Sequence, residues 1–328
     1  MRAMSTATTT IPPRPADADA IAEAARLLRR GELVAFPTET VYGLGANAED
    51  GDAVARLFEA KGRPRINPLI VHVGDPSQAE QCGEFIEPAR KLAVRFWPGP
   101  LTIVVARKPK AKISILVSAG LDTIALRVPA HPVAAALLRS AGIPIAAPSA
   151  NISGHVTATA AAHVAAELGG RVGFILDGGP ATFGLESTII GFEADRAVLL
   201  RPGSIPREEI EGVTGPLKTF EDTKIRSPGQ LTSHYAPRAR LRLNAGSVRE
   251  GEALLAFGPT VPFGASRTLN LSPSGELREA ATNLFAMLRA LDSAGARTIA
   301  VMPVPATGLG EAINDRLTRA AAPKGSPT

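Results

Sequence analysis

Ile143-Pro144-Ile145-Ala146-Ala147-Pro148-Ser149-Ala150-Asn151-Ile152-Ser153-Gly154 is the stretch on which the reading of the fold turns. Its apolar run, residues 143–147, predicts a buried strand that stops at Pro148, and a helix is expected over 160–168. A strand that runs into Ser-x-Asn-x-Ser-Gly and re-enters a helix near Thr157 or Thr159 aims backbone N–H groups at the space above the sheet, a place for a phosphate. Upstream, Lys61-Gly62-Arg63-Pro64 sets two cations on a turn that ends a helix. Brought together, the two stretches make an anion site.

Working outward, Ile21, Ala24, Ala25 and Leu28 share a helical face, with acids early, arginines late and Gly31 as the stop. A strand over 32–36 leads into Pro37-Thr38-Glu39-Thr40-Val41-Tyr42-Gly43-Leu44-Gly45, a polar, glycine-rich loop that reads as site rather than packing. A helix ending near Lys61, strands over 69–73, 101–106 and 123–128, and helices over 88–96 and 132–141 follow. Later strands over 172–176, 187–192 and 197–201, the last two a hairpin, complete an α/β unit with a mixed sheet. Four regions result: a loose tail over 1–15, a first domain over 16–206, a linker over 207–240, and a smaller α/β domain with a parallel sheet over 241–328.

The 328 residues are 45% hydrophobic and 20% charged, the balance of a globular chain large enough for two domains. A net charge of +5 suits an anionic ligand, a nucleotide or RNA, or simply a basic surface. The single cysteine, Cys82, excludes an internal disulfide and a thiolate zinc site. No apolar run reaches the ~20 residues of a membrane span, and the first 15 residues lack a signal-peptide core. A cytoplasmic protein without membrane contact is expected.

Gly43-x-Gly45-x-x-Ala48 fits a dinucleotide fingerprint only formally, because Pro37 to Tyr42 separate it from its strand; a Walker motif and His-Glu-x-x-His are both absent. Arg127, at a strand end, turns inward or over a cleft, where a substrate carboxylate or a bridge to Glu39 or Glu186 satisfies it. His72, between Val71 and Val73, reads on its own as a solvent-face strand residue and, beside the Lys61 turn and Asn67, as part of the site. Tyr42 and Tyr235, each among Gly or Pro, read as ligand contacts.

Phe36 to Leu44, Lys61-Gly62-Arg63-Pro64, Trp97 to Thr102, Arg127-Val128-Pro129, Pro148 to Gly154, Glu186-Ser187-Thr188 and Leu200 to Gly203 together resemble, in order, the YrdC-like domain of threonylcarbamoyl-AMP synthases. Ser227-Pro228-Gly229 and His234-Tyr235-Ala236-Pro237 resemble the linker of the longer form. Asn283-Leu284-Phe285 and Gly308 to Leu317 resemble its Rossmann-like C-terminal domain. The resemblance implies a twisted mixed sheet with flanking helices and a nucleotidyltransferase that makes L-threonylcarbamoyl-AMP and pyrophosphate from L-threonine, bicarbonate or CO2, and ATP. The product would pass to a tRNA-modifying transferase complex, with a tRNA or double-stranded RNA contact. By the same resemblance Thr38, His72, Arg127, Ala147 and Ser187 hold threonine. Arg63, Asn67, Thr123, Ser149, Asn151, Thr157, Arg201, His234 and Tyr235 hold ATP. Lys61 and Arg63 act at the reacting phosphate, with Mg²⁺ held mainly by phosphates and no protein metal site. A related enzyme adenylating another substrate and a non-catalytic double-stranded RNA or tRNA-binding protein are the alternatives.

Overall fold

The computed structural model describes residues 11–219 and 234–323. The first unit runs β1 (Arg14–Pro15), α1 (Ala18–Arg29), β2 (Val34–Phe36), β3 (Gly43–Asn47), α2 (Gly51–Lys61), β4 (Ile70–His72), α3 (Pro76–Cys82), β5 (Gly83–Glu84), α4 (Glu87–Phe96), β6 (Leu101–Arg107) and β7 (Thr123–Arg127). It continues with α5 (Pro132–Ala141), β8 (Ile145–Ala146), α6 (Ala161–Leu168), β9 (Phe174–Asp177), β10 (Thr188–Glu193), β11 (Arg196–Arg201), α7 (Arg207–Thr214) and β12 (Lys218–Thr219). Its strands form one twelve-stranded mixed sheet in the order β1-β9-β2-β3-β8-β4-β7-β6-β10-β11-β12, with β5 paired to β6. The second unit holds β13 (Arg240–Arg242), β14 (Ala253–Ala256), β15 (Thr268–Asn270), α8 (Leu277–Ser293), β16 (Thr298–Val301) and α9 (Leu309–Ala321). Its four strands pair in parallel in the order β13-β16-β14-β15.

Strand alternation puts the site where it is. Leu101, Ile103 and Val105 of β6 and Ile124 and Leu126 of β7 enter the main core beside residues of α2, α4 and α6. Val104 and Ala125 fall in a small separate cluster with Ile70 and Ile189. The two-residue period therefore sends Arg127 and His72 to the face opposite the main core. In register they stand side by side, His72 of β4 against Arg127 of β7. Both are buried although charged or polar, so they line an enclosed space on that face rather than solvent.

Four sequence expectations change. Residues 14–15 are not loose tail but pair with Leu176 and Asp177, while 1–10 lie outside the described residues. Gly43 and Gly45 are not loop: they pair with Phe36 and Val34 in an antiparallel ladder, and a Cβ on Gly45 would stand only 3.0 Å from the Phe36 and Ile145 side chains, which would have to give way. The stretch 207–219 packs on the first unit instead of spanning a gap, with Ile210 of α7 buried in the main core and β12 extending the sheet beside β11. Of the expected linker, 220–233, including Ser227-Pro228-Gly229, lie outside the described residues. β15, a three-residue strand, carries too few residues for an alternation signal and is found only through its pairing with β14.

Candidate active site

The turn after α2 is built by backbone geometry. Gly62 is left-handed at φ 58°, its N–H donates to the Glu59 carbonyl, and the Arg63 N–H donates to Phe58. No neighbour crowds Gly62, so glycine is wanted for that φ and not for space. The reversal sends Lys61 one way and Arg63 another, and both are buried. Lys61 Nζ donates to the carbonyls of Ser149, at 2.6 Å, and Asn151. The distant stretches thus meet as expected, but the helix does not take part: α6 begins at Ala161, ten residues beyond Asn151, so Ser149–Asn151 is a turn clamped by Lys61 and not a helix N-terminus. Gly43 and Ser149 form an isolated β-bridge that fixes this turn to the sheet.

A narrow cavity of about 50 Å³ lies between these segments, lined by Thr38, Thr40, Arg63, His72, Arg127, Ala147, Ser149, Glu186, Ser187, Arg201, His234 and Tyr235 among others. Arg127 donates through Nε to the Gly99 carbonyl at 3.2 Å, through Nη1 to Thr40 Oγ1 at 3.0 Å and through Nη2 to Glu39 Oε1 at 2.6 Å. These bonds use three of its five N–H groups. Burial acts against the Glu39 charge, but Arg127 outweighs it and holds the carboxyl below the usual range. Burial, then the charge of Arg127, depresses His72 to about 3, so its imidazole is neutral.

On the other side, Ser187 Oγ lies 2.7 Å from Thr102 Oγ1, and Arg201 Nη2 donates to the Ser187 carbonyl at 2.8 Å. Arg201-Pro202-Gly203-Ser204 packs so tightly on residues 186–188 that a Cβ on Gly203 would meet backbone atoms at 2.4–2.5 Å. Arg63 is held by the carbonyls of Asn67, at 3.1 Å, and Pro68, at 2.8 Å. Burial, then Arg201, lowers Arg63 to about 9, and burial drives Lys61 well down, with Arg63 adding to it. Tyr235, at φ 62°, stacks on Phe285 of α8 with ring centroids 5.5 Å apart, and burial pushes its hydroxyl up to about 12.

Among the described residues, the buried side-chain atoms without a hydrogen-bond partner belong to Glu39, Asn67, His72, Asn151, His234 and, elsewhere, Arg107. A buried polar atom left unsatisfied costs about 1–3 kcal/mol, so such atoms gathered in the segments around one cavity mark a place kept for a ligand. Residues 26–203 match the family model described as "Telomere recombination", and 205–322 match the one described as "Threonylcarbamoyl-AMP synthase, C-terminal domain". The threonylcarbamoyl-AMP synthase of Bacillus subtilis is 46% identical over 321 residues, covering 92% of each chain. The synthase of Pyrococcus abyssi is 43% identical, covering 90% of this chain and 92% of its own. The chain belongs to the threonylcarbamoyl-AMP synthase family. A crystal structure of the Pyrococcus abyssi family member, complexed with L-threonine, superposes with a TM-score of 0.85 at 40% identity over 92% of this chain and 94% of its own.

Of the residues to which likeness to threonylcarbamoyl-AMP synthases pointed, Thr38, His72, Arg127, Ala147, Ser187, Arg63, Ser149, Arg201, His234 and Tyr235 line the one cavity. Lys61 and Asn151 support its Ser149 wall, Asn67 is buried beside Arg63, and Thr157 donates to Glu186 at 2.8 Å. Thr123 is not brought to it. It sits on the Arg127 face of β7 but four residues back, about 13 Å along an extended strand, and lines a separate cavity with Val104 and Leu200. Tyr42 is no ligand contact either: it is fully buried in the main core, its hydroxyl donating to the Gly179 carbonyl at 2.7 Å. The alternative reading of Arg127, a bridge to Glu39, holds in this structure, and Glu186 pairs instead with Arg316. Arg316 went unassigned because nothing in a helix sequence says which distant loop its charge meets.

Proposed function

We propose that this chain forms L-threonylcarbamoyl-AMP and pyrophosphate from L-threonine, bicarbonate or CO2, and ATP. The observation that carries the reading is a single cavity whose lining includes Arg127, His72, Thr38 and Ser187 as one chemical group and Arg63, Arg201 and the Ser149 turn clamped by Lys61 as another. The first group suits an amino acid. The two N–H groups that Arg127 does not spend on its neighbours fit a carboxylate, the neutral His72 keeps an unpartnered Nδ1 for a hydrogen bond, and Ser187 and the Ala147 backbone offer further hydrogen bonds. The second group suits a nucleotide. Lys61, Arg63 and Arg201 meet the charge that builds on the α-phosphate and the departing pyrophosphate, while Asn67, Ser149, Asn151, Thr157, His234 and Tyr235 surround the nucleoside side.

The threonine amine gives up a proton and attacks CO2, and an oxygen of the resulting carbamate attacks the α-phosphorus as pyrophosphate leaves. Carbamates are short-lived in water, so the site works closed. A cavity of about 50 Å³, walled in part by His234 and Tyr235, is smaller than ATP. Mg²⁺ supplies charge neutralisation to ATP when bound. It would be carried mainly on phosphate oxygens. The likeness to a relative solved with L-threonine supports the amino-acid side. No helix among the described residues is long and apolar enough to cross a membrane. One buried free cysteine and an ATP substrate fit a reducing cytoplasm, where the product passes to a tRNA-modifying transferase complex, with a tRNA or double-stranded RNA contact served by the +5 charge.

The test is pyrophosphate release from ATP with Mg²⁺, omitting threonine and bicarbonate in turn, with the product mass measured alongside. Release that needs both, with the mass of threonylcarbamoyl-adenylate, is the expected result; release with another amine, or none, overturns the reading.

A further inference from the structure

The Gly308-Leu309-Gly310 to Asp315-Arg316-Leu317 stretch is used neither by the cavity lining nor, in its charges, by the second unit's own core. Arg316 on α9 is fully buried. Its Nε donates to Glu186 Oε2 at 2.9 Å, its Nη2 to the Pro202 carbonyl at 3.0 Å and its Nη1 to Asp315 Oδ2 at 2.6 Å. The guanidinium also lies 5.2 Å from the Tyr235 ring centroid. Three of these four partners belong to the catalytic unit or the segment entering the second unit, and two of them, Glu186 and Tyr235, line the cavity.

A buried guanidinium loses its hydration, a cost that is offset only by well-placed acceptors. Simple docking of the two units does not require it, since Arg207 of α7 already bridges Glu311 of α9 at 2.6 Å on a partly exposed rim, away from the cavity. Among the described residues Glu186 is the one acid of the cavity wall, and Thr157 and Arg316 each hold one of its oxygens. Arg201 also faces Glu186, but without Arg316 the carboxylate would draw on the charge that Arg201 otherwise offers a polyphosphate.

We propose that Arg316 is a positioning residue of the nucleotide subsite, supplied by the C-terminal unit: it neutralises Glu186 and seats the Tyr235 ring, so the subsite acquires its shape and sign only when the two units are docked. The inference rests on the functional reading above. The same full-length chain tests it, through the KM for ATP and for threonine in pyrophosphate release and through ATP binding by calorimetry. Arg316→Ala raises the ATP KM by about tenfold or more, with a smaller change for threonine. Glu311→Gln, which breaks only the rim bridge, leaves the ATP KM within about twofold.

The discriminating variant is Arg316→Ala with Glu186→Gln. Removing the stranded carboxylate recovers much of the ATP affinity if Arg316 acts through Glu186, and recovers none if Arg316 is only docking glue. In Arg316→Ala alone, ATP affinity improves as pH falls, because burial then raises Glu186 with only Arg201 and the Thr157 hydroxyl left to oppose it; the wild type and the double variant lack this dependence. Should Arg316→Ala fail to fold, Arg316→Lys, which keeps the charge but cannot reach all three acceptors, shows the same pattern in smaller measure. An ATP KM within about twofold of wild type in a folded Arg316 variant, or no recovery on adding Glu186→Gln, overturns the proposal. If wild-type protein releases no pyrophosphate, it is the functional reading that falls, and ATP calorimetry on the same variants still decides the role of Arg316.

Discussion

The two units handle buried polarity in opposite ways. In the first, polar atoms of Glu39, Asn67, His72 and Asn151 are buried without partners around the cavity. In the second, comparable groups are paired: Arg242 meets Glu252, Ser272 meets Glu279, and the Asn283 and Asn314 amides donate to backbone carbonyls. Its open parallel sheet is of the kind that elsewhere binds nucleotides at strand ends, yet among residues 240–323 no buried side-chain atom lacks a partner. The difference teaches that a fold which commonly hosts nucleotides is here spent on packing and docking, while the chemistry lies where polar groups are left waiting.

The sharpest way to break this contrast is Lys61→Ala. Pyrophosphate release should fall by about two orders of magnitude or more while the fold persists, because in the proposed mechanism the Lys61 ammonium meets developing phosphate charge; near-normal turnover in a folded variant would remove Lys61 from the mechanism. Next in size is Leu255→Ala, in the core of the second unit. Chemical denaturation should show a loss of about 2–5 kcal/mol, with the KM for threonine unchanged. A large KM effect would mean the second unit is more than support and docking at this position.

The smallest effect separates the units by pH. His72 falls to about 3 when folded, below its unfolded value, so between those values the unfolded chain binds one proton more. Stability from this group is present above about pH 6.5 and is lost by about 1.4 kcal/mol per pH unit as pH falls toward 3. His72→Gln should flatten the acid limb by that slope between about pH 4.5 and 6.5. An unchanged slope would show that His72 is not buried neutral.

Much of this was legible in the chain. The helical face of α1, the αL stop at Gly62, the hairpin of β10 and β11 and the inward turn of Arg127 follow from neighbours within a few residues. The two tyrosines show the limit. Tyr42 and Tyr235 have similar Gly- and Pro-rich surroundings, but one seals the main core and the other the cavity.

The sequence by itself determined where most of the helices stop, which of their faces are apolar and which segments carry the site chemistry, because helix stops, turns and two-residue alternation are short-range effects. Only the tertiary structure decided that Lys61 clamps Ser149–Asn151, that Thr123 stands a strand-length from Arg127, and that Arg316 crosses from the second unit to Glu186. Those contacts depend on strand order, register and the docking of two units, which are set by packing summed over the whole chain and leave no mark on any one segment.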